Sequence, residues 1–415
     1  MPHRAVRGAP PTSGDSLSPY SSQLTELELA SEIVLGEDPD EPPLPEVDPA
    51  LEPLEALSQA MIAYLERPPC LISFSGGRDS SIVLAVATAA ARREGLEGPI
   101  PITYRFPNAP DTDESDWQEL VIRHVGPADW IHHVLTDELD LIGPLACKCL
   151  LRHGVVYPPA AYDRLPMLRQ ARGGTLLTGV GGDELLRTWR WGRTASLLAG
   201  RVRPVFRDVL RVGAAVAPAR VRASALRRIT PLDLPWLRPD AAEAVRQSFY
   251  SYLVAEPFRW DERTRWRARQ RDLTVAVRGI ELVAEGSGAA IAHPLLAPRF
   301  LATLARAGGS LGFGGVADVM HAHFGSLLPR ELVTRPSKVY FENVYWGPRS
   351  REFIATWTGD SVPLEFVDGR GLLETWRGGT FLGATVLQAL WLAAHRTSEG
   401  SRPGLFGVDR PVIRG

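Results

Sequence analysis

The chain has 415 residues, 45% of them hydrophobic, and a net charge of −2, so it can bury one large core or two smaller ones. That balance excludes a whole-chain bias toward nucleic acid or acidic membranes. Three cysteines, Cys70, Cys147 and Cys149, make no disulfide framework and point to a reducing compartment. No uncharged apolar run approaches the roughly 20 residues of a membrane-spanning helix. The first residues, MPHRAVRGAPPTSG, contain no apolar signal region, and a cytoplasmic protein without a membrane role is expected.

Residues 1–48, rich in Pro, Ser, Asp and Glu, read as a partly flexible leader. Within it, LTELELASEIVLG predicts a short strand or helix docked on the body. From Leu51, ALEPLEALSQAMIAYLER has helical apolar spacing. A strand at CLISF, a helix over 79–94, a strand at IPITYRF and a helix over 114–124 follow. WIHHVL predicts another strand, 137–150 and 160–172 predict helices, and TLLTG predicts a strand. Short strands alternating with helices predict a parallel sheet covered on both faces. Beyond Asp183 strand signals fade, and 184–396 read mostly as helices. Residues 397–415 read as a loose tail.

The turn after the first strand carries the chemistry. Ser75-Gly76-Gly77-Arg78-Asp79-Ser80-Ser81 joins an apolar strand to an alanine-rich helix. Glycines let backbone N–H groups approach an anion, and the helix N-terminus adds partial positive charge. The spacing and lysine of a Walker A loop are absent, as is G-x-G-x-x-G. An aspartate inside a phosphate cradle makes sense with Mg²⁺ between the two; by itself Asp79 would also serve as an ordinary helix N-cap after a glycine turn. A second strand-to-helix turn, LLTGVGGDELL over 176–186, repeats the arrangement with Gly179, Gly181, Gly182 and Asp183.

The first loop resembles the SGGxDSS pyrophosphate loop of the PP-loop ATP pyrophosphatases. The second resembles the GxGxDE block of their asparagine synthetase branch, which has β-lactam synthetase and lasso peptide cyclases as relatives. GIELVAEGSGAAIAHPLLAPRFLATLA and LLPRELVTRPSKVYF resemble that branch's later segments, and the resemblance covers about 51–396. It implies an α/β fold with a parallel five-stranded sheet of the adenine nucleotide α-hydrolase-like type over 49–190. A mainly helical part over 191–396 would complete one synthetase domain, 49–396.

The implied activity is ATP-dependent amide formation: a carboxylate is adenylated, pyrophosphate leaves, and an amine displaces AMP. The implied cofactors are ATP and Mg²⁺. Asp79 and Asp183 would hold the metal, while Ser75, Gly76, Gly77, Ser80, Ser81, Gly179, Gly181 and Gly182 would cradle phosphates. Phe106, after the second strand, would lie by the adenosine. Lys338 falls at the branch's catalytic lysine. It is one of only two lysines, with Lys148, in an arginine-dominated chain, a place where a compact ammonium resists exchange for a planar fork. Its role would be to neutralise charge on the α-phosphate and the developing oxyanion.

Three departures narrow the substrates. Val180 stands where the branch has a glutamate, Ala297 replaces the aspartate of Pro-Phe-Leu-Asp, and no cysteine precedes Cys70 to begin a glutaminase domain. The amine is therefore expected from free ammonia, a separate glutaminase partner, or a second small-molecule or peptide substrate. Two alternatives stand beside this reading: a PP-loop enzyme acting on tRNA, and a nucleotide-binding subunit without catalysis. Weaker signals are discounted. Cys147-Lys148-Cys149, His132-His133 and His321/His323 lack metal-site spacing. Eight arginines over 201–228 against Asp208 alone read as a solvated face rather than a nucleic-acid or peptide site. Trp189 and Trp191 read either as a wall of the acceptor pocket or as core.

Overall fold

The computed structural model describes residues 21–398 except 187–188, 207, 209–211, 214–216, 336–340, 361 and 380–381. Five strands form one sheet: β1 (Cys70–Ser73), β2 (Ile100–Arg105), β3 (Ile131–Val134), β4 (Thr175–Leu177) and β5 (Ala290–Ala292). Their order is β3-β2-β1-β4-β5 and every pairing is parallel. The expected five-stranded parallel α/β sheet is therefore present. Central strands read as unbroken apolar runs because both faces are covered: Leu71, Ile72, Leu176 and Leu177 are all buried.

The fifth strand is where sequence and structure part. Residues 184–396 read as helical, yet Ala290–Ala292 pairs with β4 through Thr175↔Ala290, Leu176↔Ile291 and Leu177↔Ala292. Alanine has little strand preference, and a three-residue run among Gly and Ser carries no period. The neighbouring strand decides it.

Helices α1 (Glu26–Ser31), α2 (Pro53–Leu65) and α3 (Arg78–Glu94) show how the layers assemble. Proline opens α2, where a missing N–H costs nothing. Ile82, Val83, Leu84, Ala85, Val86 and Ala87 of α3 are buried, the alanines permitting close approach to the sheet and to α2. Gly95, at φ +66°, ends α3 in the left-handed region. The core around α2, α3 and β1 also takes in Leu295, Phe300, Leu304, Met320 and Phe324. The sheet-containing and helical parts thus share a core.

The leader is also integrated as far as it is described. Thr25 and Glu28 close a capping box on α1, Leu24 and Leu29 are fully buried, and the Trp236 indole donates to the Ala30 carbonyl at 2.8 Å. These residues share a second core with Trp346, Trp376 and Leu387. Residues 1–20 and 399–415 lie outside the described part. No helix of the described residues is long and apolar enough to cross a membrane.

What matters for the site is the centre of the sheet. β1 pairs β2 on one side and β4 on the other, so chain connections depart in opposite directions from β1. Open parallel sheets bind ligands at such a point, beyond the C-terminal strand ends. The loops after β1 and β4, about a hundred residues apart in the chain, emerge side by side because Ile72 pairs Leu177.

Candidate functional site

The first loop is braced from inside and from below. Gly76 adopts φ +82°, and a Cβ there would meet Gln118 Cγ at 2.6 Å. Gln118, on α4 (Ser115–Val125), donates from Nε2 to the Ser75 carbonyl at 3.0 Å and accepts from Arg105. The Gly77 carbonyl accepts from Ser80 Oγ at 3.1 Å, Ser81 Oγ at 2.7 Å and Ser81 N at 3.1 Å. Ser75 Oγ accepts from the Gly77 N–H at 3.3 Å and lies 3.2 Å from Ser80 Oγ. Ser75, Gly77, Asp79 and Ser80 line a cavity of about 750 Å³; Gly76 and the fully buried Ser81 lie behind them and shape the turn.

The second loop presses on the first through its glycines. A Cβ on Gly179 would come 2.8 Å from Ser80 N, and one on Gly182 would overlap the Asp79 carboxylate. Gly181, at φ +97°, leaves no room beside Leu296. Gly179, Gly181, Gly182 and Asp183 all line the same cavity, so the structure brings the two aspartate-bearing turns together. Burial draws the Arg78 guanidinium below its usual value, with Asp79 and Asp183 opposing and Arg335 adding to the effect. One cation therefore feels both carboxylates.

Beneath this loop, His293 Nδ1 lies 2.6 Å from Thr178 Oγ1, which accepts the Val180 N–H at 3.3 Å. Burial, with a smaller push from Arg164, pulls His293 down from 6.5 to about 4. The imidazole is neutral at ordinary pH and acts as a strut between β5 and the loop after β4.

Several cavity residues were not singled out from sequence. Arg335 is 4% exposed, forms a double hydrogen bond with Glu114, lies over Trp117 at 4.7 Å and donates to the Gly76 carbonyl at 3.4 Å. Arg78 donates to the Arg335 carbonyl. The chain before Lys338 is thus tied to the start of α4 by a buried ion pair spanning 221 residues and to the first loop by the Arg335–Gly76 and Arg78–Arg335 hydrogen bonds. Beyond it, the Tyr345 hydroxyl donates to Asp163 Oδ2 at 2.8 Å. The only sequence signal was indirect: Arg78 fills the variable place of SGGxDSS, and Arg335 sits three places before Lys338. Lys338 itself lies outside the described residues.

The rest of the cavity has an aromatic wall and two charged positions, Asp163 with Arg164 and a corner formed by Arg267, Asp272 and Glu184. Phe106 lines it, packed edge-on against Tyr104 at 6.0 Å and Phe341 at 6.1 Å. Val180 joins that aromatic wall. In the corner, Arg267 clasps Asp272 with two bonds of 2.7 and 2.8 Å, beside Tyr157 and Glu184. Burial, reinforced by Asp272, pushes the Tyr157 hydroxyl up to about 12, so it stays a donor.

The remaining sequence signals resolve into packing. Trp189 and Trp191 are 4% and 6% exposed and pack with Trp260, Phe258 and Phe313; neither lines the cavity. All three cysteines are free, and burial raises each thiol to about 11 or 12. Among the described residues no group of three or more His, Cys, Asp and Glu gathers as a metal site.

The model of the asparagine synthase family matches residues 54–394. No curated protein matches the chain.

Proposed function

The chain belongs to the asparagine synthase family, and from that premise we propose that it is an ATP-dependent ligase that adenylates a carboxylate and passes the acyl group to an amine. The observation that carries this reading is the contact between the two glycine-rich turns, which sets Asp79 and Asp183 at one cavity beside the serine-lined loop.

The donor set suits Mg²⁺. That ion keeps several waters and usually takes one or two protein carboxylates plus substrate phosphate, which agrees with two aspartates and no larger cluster among the described residues. When bound, it would neutralise phosphate charge. The chain's own groups do the rest. Backbone N–H groups and the hydroxyls of Ser75 and Ser80 grip the β- and γ-phosphates at the start of α3. Arg78 and Arg335 hold positive charge close to the same loop. Phe106 offers an apolar face to the adenine.

A substrate carboxylate oxygen attacks the α-phosphorus, the α–β bridging bond breaks, and pyrophosphate leaves with its electron pair. The amine then attacks the acyl carbon, loses a proton and expels AMP. Lys338, following Arg335, stabilises the charge that develops on the α-phosphate and the acyl oxygen. The protein supplies no covalent nucleophile, so position and electrostatics account for the acceleration. Val180 leaves no acid at that point of the wall, which favours an amine that brings its own binding groups over plain ammonia.

ATP–pyrophosphate exchange screened over carboxylates, aspartate and short peptides among them, tests the reading. Exchange that needs Mg²⁺ and disappears in Asp79→Asn and Asp183→Asn supports it. Nucleotide binding without exchange for any acceptor would leave a binding subunit instead.

A further inference from the structure

Nine large apolar side chains of the described residues stand exposed, and six of them fall within one stretch: Leu198, Val205, Phe206, Val212, Val221 and Ile229. Phe206 is 89% and Ile229 77% exposed. The same stretch holds the eight arginines of 201–228 and a single acid, Asp208. That acid is already held by Arg193 at 2.9 Å, while Arg203, Arg220 and Arg228 are exposed. A merely solvated basic face has no use for an exposed phenylalanine and isoleucine, and a core has no use for the arginines. Concentrated together, they are what an interface uses.

The packing shows which side is outward. Helix Ala219–Ile229 lies on helix Pro239–Ala255: Arg222 reaches the Val254 carbonyl at 3.5 Å, and Arg227 pairs with Glu243 at 3.0 Å and covers Tyr250. Arg220, Val221, Arg228 and Ile229 are left exposed. The stretch also approaches the cavity. Arg201 donates to the Leu311 and Gly312 carbonyls at 3.3 and 2.7 Å, and Val316, four residues on from Gly312, lines the cavity.

We propose that the exposed side chains among the described residues of this stretch, Arg203, Val205, Phe206, Arg220, Val221, Arg228 and Ile229, form a docking surface for an acidic polypeptide segment bearing apolar side chains. Resting on the ligase reading above, that segment is the distal part of a peptide substrate whose reactive end enters the cavity. Charge complementarity selects the acidic partner, and the scattered apolar residues select one that presents side chains singly. A bilayer is less well served, because the exposed face of helix Ala219–Ile229 offers it only Val221 and Ile229 amid arginines.

The test is fluorescence anisotropy of the full chain with a labelled synthetic peptide alternating glutamate with leucine or phenylalanine, without ATP and at roughly 0.1 M salt. Binding in the micromolar range is expected. It should fall about tenfold or more with glutamine in place of glutamate, or with Arg220→Glu/Arg228→Glu. Phe206→Ser should weaken it less, and Arg220→Lys/Arg228→Lys should largely retain it, all with unchanged melting. Equal binding by the charge-reversed variant overturns the proposal. So does preference for phosphatidylglycerol vesicles or single-stranded RNA over the peptide, or burial of the patch in a dimer by light scattering. Loss of docking would lower exchange driven by the docked peptide and leave exchange with a short carboxylate acceptor intact, whereas failure of the ligase reading would abolish both and leave peptide binding intact, so the two are distinguishable.

Discussion

The two basic regions of this protein use arginine in opposite ways. At the C-terminal edge of the sheet, Arg335 is buried, paired to Glu114 and stacked on Trp117, so its charge serves geometry. Over 198–229, Arg203, Arg220 and Arg228 face solvent beside Phe206 and Ile229, so their charge is available to a partner. Desolvation makes the difference: a buried guanidinium is tolerated only where its hydrogen bonds are fixed, and a fixed group can position others. An exposed one is screened and contributes little to stability.

The comparison breaks hardest at the buried pair. Glu114→Gln leaves Arg335 without that carboxylate and is expected to lower stability by about 3–5 kcal/mol, read by urea denaturation; a change below about 1 kcal/mol would make the pair equivalent to a surface one. Next comes Asp79→Asn, expected to cut substrate-dependent pyrophosphate release by roughly 10²–10³-fold with unchanged melting, because the amide keeps the shape and loses the charge.

His293 tests the buried region through pH. Between 6.5 and about 4 the unfolded chain takes up a proton that the folded imidazole refuses. Relative to neutral solution, the folded state therefore loses about 3 kcal/mol as pH falls through that window. His293→Asn should lack this slope in denaturation curves at the two pH values. Gly182→Ala places a methyl on the Asp79 carboxylate and is expected to cost about 1–3 kcal/mol, with activity lost because the turns separate. The smallest effect belongs to the exposed region: Arg220→Ser or Arg228→Ser should change stability by no more than about 0.5 kcal/mol, and a larger loss would mean that these side chains are structural.

The chemistry-bearing turns were legible because each is a local pattern. SGGRDSS and GVGGDE join strand to helix with glycines where the backbone must turn tightly, and those requirements act over a few residues. Strands β1 and β4 showed in short apolar runs and helix α3 in its alanines for the same reason. Phe106 was reachable as the end of a strand, and Trp189 and Trp191 stayed ambiguous between wall and core because hydrophobicity alone does not distinguish them.

Only the tertiary structure decided the rest. Ala290–Ala292 is a strand because β4 offers it a ladder, not through any preference of its own. Arg335 and Glu114, far apart in the chain, are partners because the sheet order brings their segments to one edge. The sequence by itself determined which turns carry carboxylates and hydroxyls, since backbone conformation and residue chemistry are local properties. That Asp79 and Asp183 share a cavity was settled by the β1–β4 pairing, because proximity across the chain is a property of the sheet and its core.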